Sequence, residues 1–357
     1  MTSQKLKGRA AQLNPKNRFE KLHVDDYQDE EFFYDYDFPS ENKIPTSYFK
    51  DDSKTVIAKN DSYDVGFDYS FNPYRGCEHG CIYCYARPTH EYLGFSSGID
   101  FETKIMVKEN APALLEKEFR KKSYKPDLLV FSGNTDCYQP LERKLKLTRE
   151  ALKVCLKYRN PIGVITKNAL IQRDIDILKE LAQLNLVTVT LSITTLDKNL
   201  AHKMEPRTSS PQMRLQTIEE MAKNGIPVGV NIAPIIPGLN DKEIPNILKE
   251  SAARGAVHAG KIMLRLPFAV KDLFLDWIAK ELPDKANKII NSIKEVRGGK
   301  LSSSEWKKRM TGEGELAETI HKLFHISCRK YGLNNIKTEL TTDNFVRSKS
   351  KQLEMFR

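Results

Sequence analysis

Between residues 66 and 267 the sequence alternates short apolar, β-prone runs with amphipathic helical ones, and this alternation constrains the fold more than any other feature. The strand-like runs are FDYSFNP (67–73), LLVFSG (128–133), IGVIT (162–166), VTVTLSI (187–193), PVGVNIAP (227–234) and KIMLRL (261–266). Helical periodicity lies between them, in APALLEKEFRKK, KLTREALKVCLKY, RDIDILKELAQL, SPQMRLQTIEEMAKNG and EIPNILKESAARG. The last two helices end at Gly225 and Gly255, the residue type that tolerates left-handed dihedrals at a helix C-terminus. Strands that alternate with helices imply parallel pairing through right-handed crossovers. Six such units define an α/β fold, either an open doubly wound sheet or an incomplete (β/α)6 barrel.

Polar residues gather where these strands end. They are Ser132, Gly133, Asn134, Thr135 and Asp136 after the second, Lys167 after the third, Ser192, Thr194 and Thr195 on the fourth, Asn231 on the fifth and Arg265 on the sixth. Side chains at the carboxyl ends of successive parallel strands face one mouth, where barrel enzymes build their active sites. Residues 1–65 read as an N-terminal arm, with a basic opening followed by the acidic, aromatic run DDYQDEEFFYDYDFPSENKIP and no helical or strand period. Residues 268–357 read as a helical C-terminal extension, and GEGELA within it follows no strand, which removes a dinucleotide-binding reading.

Six cysteines are present, and Cys77, Cys81 and Cys84 fall within eight residues, CEHGCIYC. That spacing is too tight for a disulfide framework and reads as a metal site in a reducing compartment. Thiolates suit iron–sulfur clusters and zinc alike. Structural zinc takes four protein ligands, and here His79 or Cys137 would have to supply the fourth. An iron–sulfur cube on three thiolates leaves one iron open. Cys155 and Cys328 sit in apolar helical runs and are expected in the core.

C-x3-C-x-φ-C with aromatic φ, here Tyr83, resembles the signature of the radical SAM superfamily. NPYRGCEHGCIYCYARPTHEYLG, TDCYQPLERKLKLTR, ITKNALIQRDIDIL, EPRTSSPQMRLQTI, APIIPGLND and MLRLP resemble its branch labelled "DNA repair photolyase", related to spore photoproduct lyase. The resemblance implies an incomplete TIM-type (β/α)6 barrel over residues 66–267 and an enzyme with two cofactors, a [4Fe–4S] cluster on Cys77, Cys81 and Cys84 and S-adenosyl-L-methionine. Reductive cleavage would yield a 5′-deoxyadenosyl radical that abstracts hydrogen from substrate, with a flavodoxin or ferredoxin as electron donor. It assigns Tyr83, Ser132, Gly133, Asn134 and Lys167 to the cofactor site, Lys167 on the methionine carboxylate, and Ser192 and Thr194 to the ribose. Arg207 would fork a carboxylate or phosphate, and Pro234 lies in the stretch that packs on adenine. Tyr85 resembles a hydrogen-relaying aromatic, and Cys137 is the candidate thiol donor. Aligning the TD dipeptide puts Gly133, not Cys137, where the lyase's reactive cysteine falls, which speaks against the lyase reaction itself.

Lys and Arg exceed Asp and Glu by 57 to 47, a formal charge of +10 that suits a polyanionic partner such as nucleic acid. A peptide or small metabolite as the substrate, or a non-catalytic metal-binding adaptor, stay open as alternatives. No apolar run is long enough to span a bilayer, and the first twenty residues lack the apolar stretch of a secretory leader, so a cytoplasmic location is expected.

Overall fold

The computed structural model describes residues 6–19, 44–335 and 338–347; most of the acidic, aromatic run lies outside them. Among the described residues ten strands are formed: β1 (Ser47–Lys50), β2 (Ile57–Lys59), β3 (Tyr69–Phe71), β4 (Tyr74–Arg75), β5 (Lys104–Val107), β6 (Leu129–Phe131), β7 (Ile162–Thr166), β8 (Val187–Ser192), β9 (Val228–Ile235) and β10 (His258–Met263). Seven make one sheet in the order β10-β9-β8-β7-β6-β3-β2. All its pairs are parallel except the edge pair of β2 with β3. The six expected strands are therefore neighbours in their chain order. The order never reverses, whereas a doubly wound sheet turns back at a switch point.

The central strands are apolar on both faces, as parallel strands covered by crossover helices must be. In β7 four of the five residues are buried, and Val187, Val189 and Leu191 of β8 are inaccessible. Helices Leu147–Tyr158, Ile175–Gln183, Pro211–Lys223 and Ile244–Ala252 cover the sheet, each with its apolar stripe inward. Gly225 and Gly255 adopt φ +71° and +91°, as their positions after helices required. Strand two is shorter than the sequence implied, because Ser132 is left-handed at φ 69° and turns the chain out of the sheet after Phe131.

Packing crosses both expected boundaries of the core. Arg9 donates to the carbonyl of Glu102 and to Thr46 Oγ1, each at 2.8 Å, and Asn17 donates to the Glu91 carbonyl at 2.9 Å. β1 pairs with β5, and β2 extends the main sheet. On the other side, Val270, Leu273, Phe274, Trp277 and Ile278 of helix Val270–Glu281 share an apolar cluster with Cys81, Ile82 and Tyr83. Each such side chain removed from water contributes ~1.5–3 kcal/mol, so the C-terminal helices brace the cysteine loop. Helix Glu315–Lys330 seats Ile320, Phe324 and Cys328 in the main core, where Cys155 also lies.

Candidate active site

The cysteine loop leaves β4 and turns twice through left-handed glycines, Gly76 at φ +78° and Gly80 at φ +67°. Neither accepts a side chain: a Cβ on Gly76 would lie 3.0 Å from Ile105 Cδ1, and one on Gly80 would lie 2.8 Å from Glu102 Oε2. Backbone bonds fix the remainder, Cys77 N to the Phe101 carbonyl at 2.9 Å and Ile82 N to the Met204 carbonyl at 3.0 Å. All three thiols are raised by burial, Cys81 to about 12, so a cationic group among them is needed to hold them as thiolates.

Arg87 is the foundation of this loop. Its side chain and that of Glu102 are wholly buried and paired. The guanidinium also donates to the carbonyls of Cys81 (3.0 and 2.9 Å), Gly80 (3.3 Å) and Gly98 (2.9 Å). Five donors in a rigid fork allow one arginine to hold several loop carbonyls at once. Glu102 is held from behind by the N–H of Ala11 at 3.0 Å, so the N-terminal segment reaches the site through it.

A second buried network orients Tyr83. Its hydroxyl donates to Glu205, which also accepts from Thr194 and Arg214. Burial raises the Glu205 carboxyl, but Arg214 and Lys167 outweigh it and hold the group at about 2. A third centre is Asp136. It accepts from the N–H of Lys167 (2.9 Å) and from Thr166 Oγ1 (2.8 Å), and stands 3.3 Å from His79 Nδ1, which ties the ends of β6 and β7 to the cysteine loop.

A cavity of about 500 Å³ opens at the carboxyl ends of the parallel strands. Cys77, Cys81, Tyr83, Cys84, Tyr85, Ser132, Gly133, Asn134, Lys167, Ser192 and Pro234 all line it. Lys167 Nζ pairs with no carboxylate among the described residues and lies 5.9 Å from the Tyr83 ring. Burial lowers its pKa, but Cys81 and Glu205 raise it further, with a net upward shift. Tyr85 donates its hydroxyl to the Gly133 carbonyl at 2.7 Å. Gly133 has to be glycine, since a Cβ there would meet the Ser70 Cβ at 2.7 Å. Ala233 and Pro234 reach the cavity, while Ile235 and Ile236 turn into the core.

Three expected residues lie elsewhere. Cys137 is fully buried among apolar side chains, because Ser132 Oγ accepts its N–H at 2.8 Å and directs that turn inward. Thr194 is spent in the Tyr83–Glu205 network. Arg207 sits behind the cysteine loop, 3.2 Å from Glu78, with its N–H on the His79 carbonyl. Of the two candidate fourth zinc ligands, Cys137 lies in the core, while His79 lines the cavity with its ring nitrogens on Asp136 and Asn168. Among the described residues no three Cys, His, Asp or Glu side chains converge on a single-ion site. Asn231 and Arg265, expected at the mouth from their strand ends, line the cavity. Arg87, Glu102, Glu205 and Asp136 were not legible as organisers, since nothing local marks a buried pair.

The sequence profile of the radical SAM superfamily matches residues 71–250, half of the chain. The chain belongs to the radical SAM superfamily. A [4Fe–4S] cluster and S-adenosylmethionine are the cofactors of that superfamily. An uncharacterized protein of Mycobacterium tuberculosis is 36% identical over 220 residues, 61% of this chain and 65% of that protein. One from Methanocaldococcus jannaschii is 34% identical over 179 residues, 50% of this chain and 64% of that protein. The chain thus spans just under two thirds of the length of these relatives. A solved structure of spore photoproduct lyase with bound AdoMet and dinucleoside spore photoproduct aligns with TM-score 0.58 at 15% identity, over 84% of this chain and 83% of that one. At that identity the likeness is one of fold. Among the described residues no helix is long and apolar enough to cross a membrane.

Proposed function

We propose that Cys77, Cys81 and Cys84 hold the cluster at the mouth of an incomplete (β/α)6 barrel, and that the cavity beside them takes S-adenosylmethionine and the reacting part of a nucleic-acid substrate. Held on the three thiolates, a reduced cluster would supply the one electron that reductive cleavage of the C5′–S bond of S-adenosylmethionine requires. The observation that carries this reading is that three thiols of one strapped loop border the same cavity as a half-buried lysine with no carboxylate partner among the described residues. The three sulfurs share one cavity wall.

The chain's own residues bind and orient. The Lys167 ammonium, lacking a carboxylate of its own, complements the cofactor's carboxylate in a partly desolvated setting. Ser192 offers a hydroxyl, and Asn231 Oδ1 is a buried acceptor without a partner on the same wall. Pro234 and Ala233 give the adenine an apolar face. Ser132, Gly133 and Asn134 close the edge beside Tyr85, which stands at the mouth to relay hydrogen. Arg265, Arg309 and Lys59 make the outer lining cationic, and this together with the +10 excess favours nucleic acid over a peptide or metabolite. The spore photoproduct lyase neighbour, which carries a dinucleoside ligand, agrees with that class. A flavodoxin or ferredoxin in the cytoplasm would supply the electron.

The test is anaerobic reconstitution with iron and sulfide, then dithionite and S-adenosylmethionine, with 5′-deoxyadenosine as the product measured. Wild type should form it. Replacing Cys77, Cys81 and Cys84 together by Ala should abolish both product and bound iron, and persistence of either removes the ligand assignment.

A further inference from the structure

Tyr63 is 95% exposed and Trp306 is 49% exposed, yet their rings meet at 5.1 Å between centroids, tilted by 40°. One comes from the turn between β2 and β3, the other from the loop before helix Lys308–Thr311. Two aromatic side chains brought together from 243 positions apart and left in water bury little apolar area of their own, so folding alone gives them weak reason to meet. The same two loops are joined by Arg309 and Asp64, a fork in which Nε lies 2.6 Å from Oδ2 and a second bond runs from Nη2 to Oδ1. The Arg309 guanidinium also lies 5.2 Å from the centroid of the Trp306 ring. The ring pair is thus held in place, and it is held at the cavity mouth, since Asn60, Ser62, Val65, Arg309 and Met310 all line the cavity.

Arg265 also lines the cavity, in contact with Met310 of the same rim loop. Among the described residues it has no carboxylate partner; its polar contact is with Met310 Sδ at 3.6 Å, and its guanidinium lies 5.4 Å from the centroid of the Tyr85 ring. A half-buried, unpaired cation is costly to a folded chain unless an anion arrives to pair with it. Two adjoining exposed rings at the rim and an unpaired guanidinium on the cavity wall offer the two kinds of contact a nucleotide needs, one for a flat base and one for its phosphate. Sequence-tolerant single-strand binders use the same combination.

We propose that Tyr63 and Trp306 form a stacking platform for an unpaired base of a single-stranded or locally opened nucleic acid, with Arg265 taking a phosphate on the way into the cavity. This deepens the functional reading above and rests on it. A duplex with all bases stacked internally offers the rim only phosphates, so the platform selects strands with free bases.

The experiment uses the reconstituted holoenzyme, whose 5′-deoxyadenosine formation without nucleic acid is measured first, so that failure of the radical chemistry is separable from failure of the rim. A fluorescein-labelled oligothymidylate of about 12 nucleotides, a blunt duplex and an abasic strand of equal length are then compared by anisotropy. The thymidylate should bind about tenfold or more tightly than the abasic strand. Trp306→Ala and Tyr63→Ala should each weaken it about 5- to 100-fold, and Trp306→Phe should restore most of the loss. Arg265→Gln should shrink the slope of log K against log salt by about 0.7. Equal binding of thymidylate and abasic strands, or no loss in either Ala variant whose thermal melt matches wild type, overturns the platform. An unchanged salt slope overturns the phosphate contact.

Discussion

The floor and the rim of the cavity are built on opposite principles. Under the cysteine loop two arginines are buried and paired: Arg87 with Glu102, Arg214 with Glu205. At the rim Arg265 has no anionic partner among the described residues, and Tyr63 and Trp306 lie open to water. A paired, desolvated network holds a fixed geometry, which a ligand common to every turnover rewards. Unpaired cations and free ring faces keep their binding capacity for a ligand that comes and goes. The difference separates the part of the cavity that positions cofactors from the part that meets a substrate.

The largest effect should come from breaking the floor. Arg87→Met strands Glu102 without its cation and frees four loop carbonyl contacts, and should cost about 3–5 kcal/mol in urea unfolding, with loss of retained iron. A cost below about 1 kcal/mol would mean that the floor is not held by this pair.

Acid should weaken the same region next. Glu205 is held at about 2 against an ordinary 4.5, with burial opposing and Arg214 and Lys167 prevailing. A depressed folded pKa gives stability that is complete above 4.5 and is lost as pH falls through 2, on the order of 3 kcal/mol for this group. Unfolding free energy of the apoprotein should decline over that window, and Glu205→Gln should flatten the decline. An identical slope in the variant would remove Glu205 as its source.

Lys167 sits between the two regions, half-buried and, like Arg265, without a carboxylate partner among the described residues. Lys167→Met should weaken S-adenosylmethionine binding about 10- to 100-fold by equilibrium dialysis, the worth of a charge-assisted hydrogen bond. The unfolding midpoint should move far less than in Arg87→Met. The reverse pattern would make Lys167 structural. Smallest of all, Asp64→Asn should cost about 1–2 kcal/mol in the same unfolding assay, because it removes the charge from one partly shielded, charge-assisted pair. A larger loss would show that the rim is as rigid as the floor.

Much of this was legible in the residues. Six strand runs gave six parallel strands in chain order, because an apolar run between two amphipathic helices has few other ways to be covered. The polar strand ends gave the mouth, and Lys167, Ser192 and the three cysteines reached it. Cys137 misled because four residues past a strand end is close to the mouth in sequence, while the left-handed turn at Ser132 sends it into the core. Thr194 misled because alternation gives the face of a strand and not which neighbour, here Glu205, claims the hydroxyl.

The sequence by itself determined the order of the elements, the shared mouth and the cluster of thiols, since periodicity and spacing are local properties of a chain. The tertiary structure decided which charges are spent and which are left free. Arg87 and Arg265 are equally arginine in the sequence. One meets Glu102, fifteen residues away and equally buried, and the other meets no carboxylate, because pairing depends on what folding brings within a few ångströms.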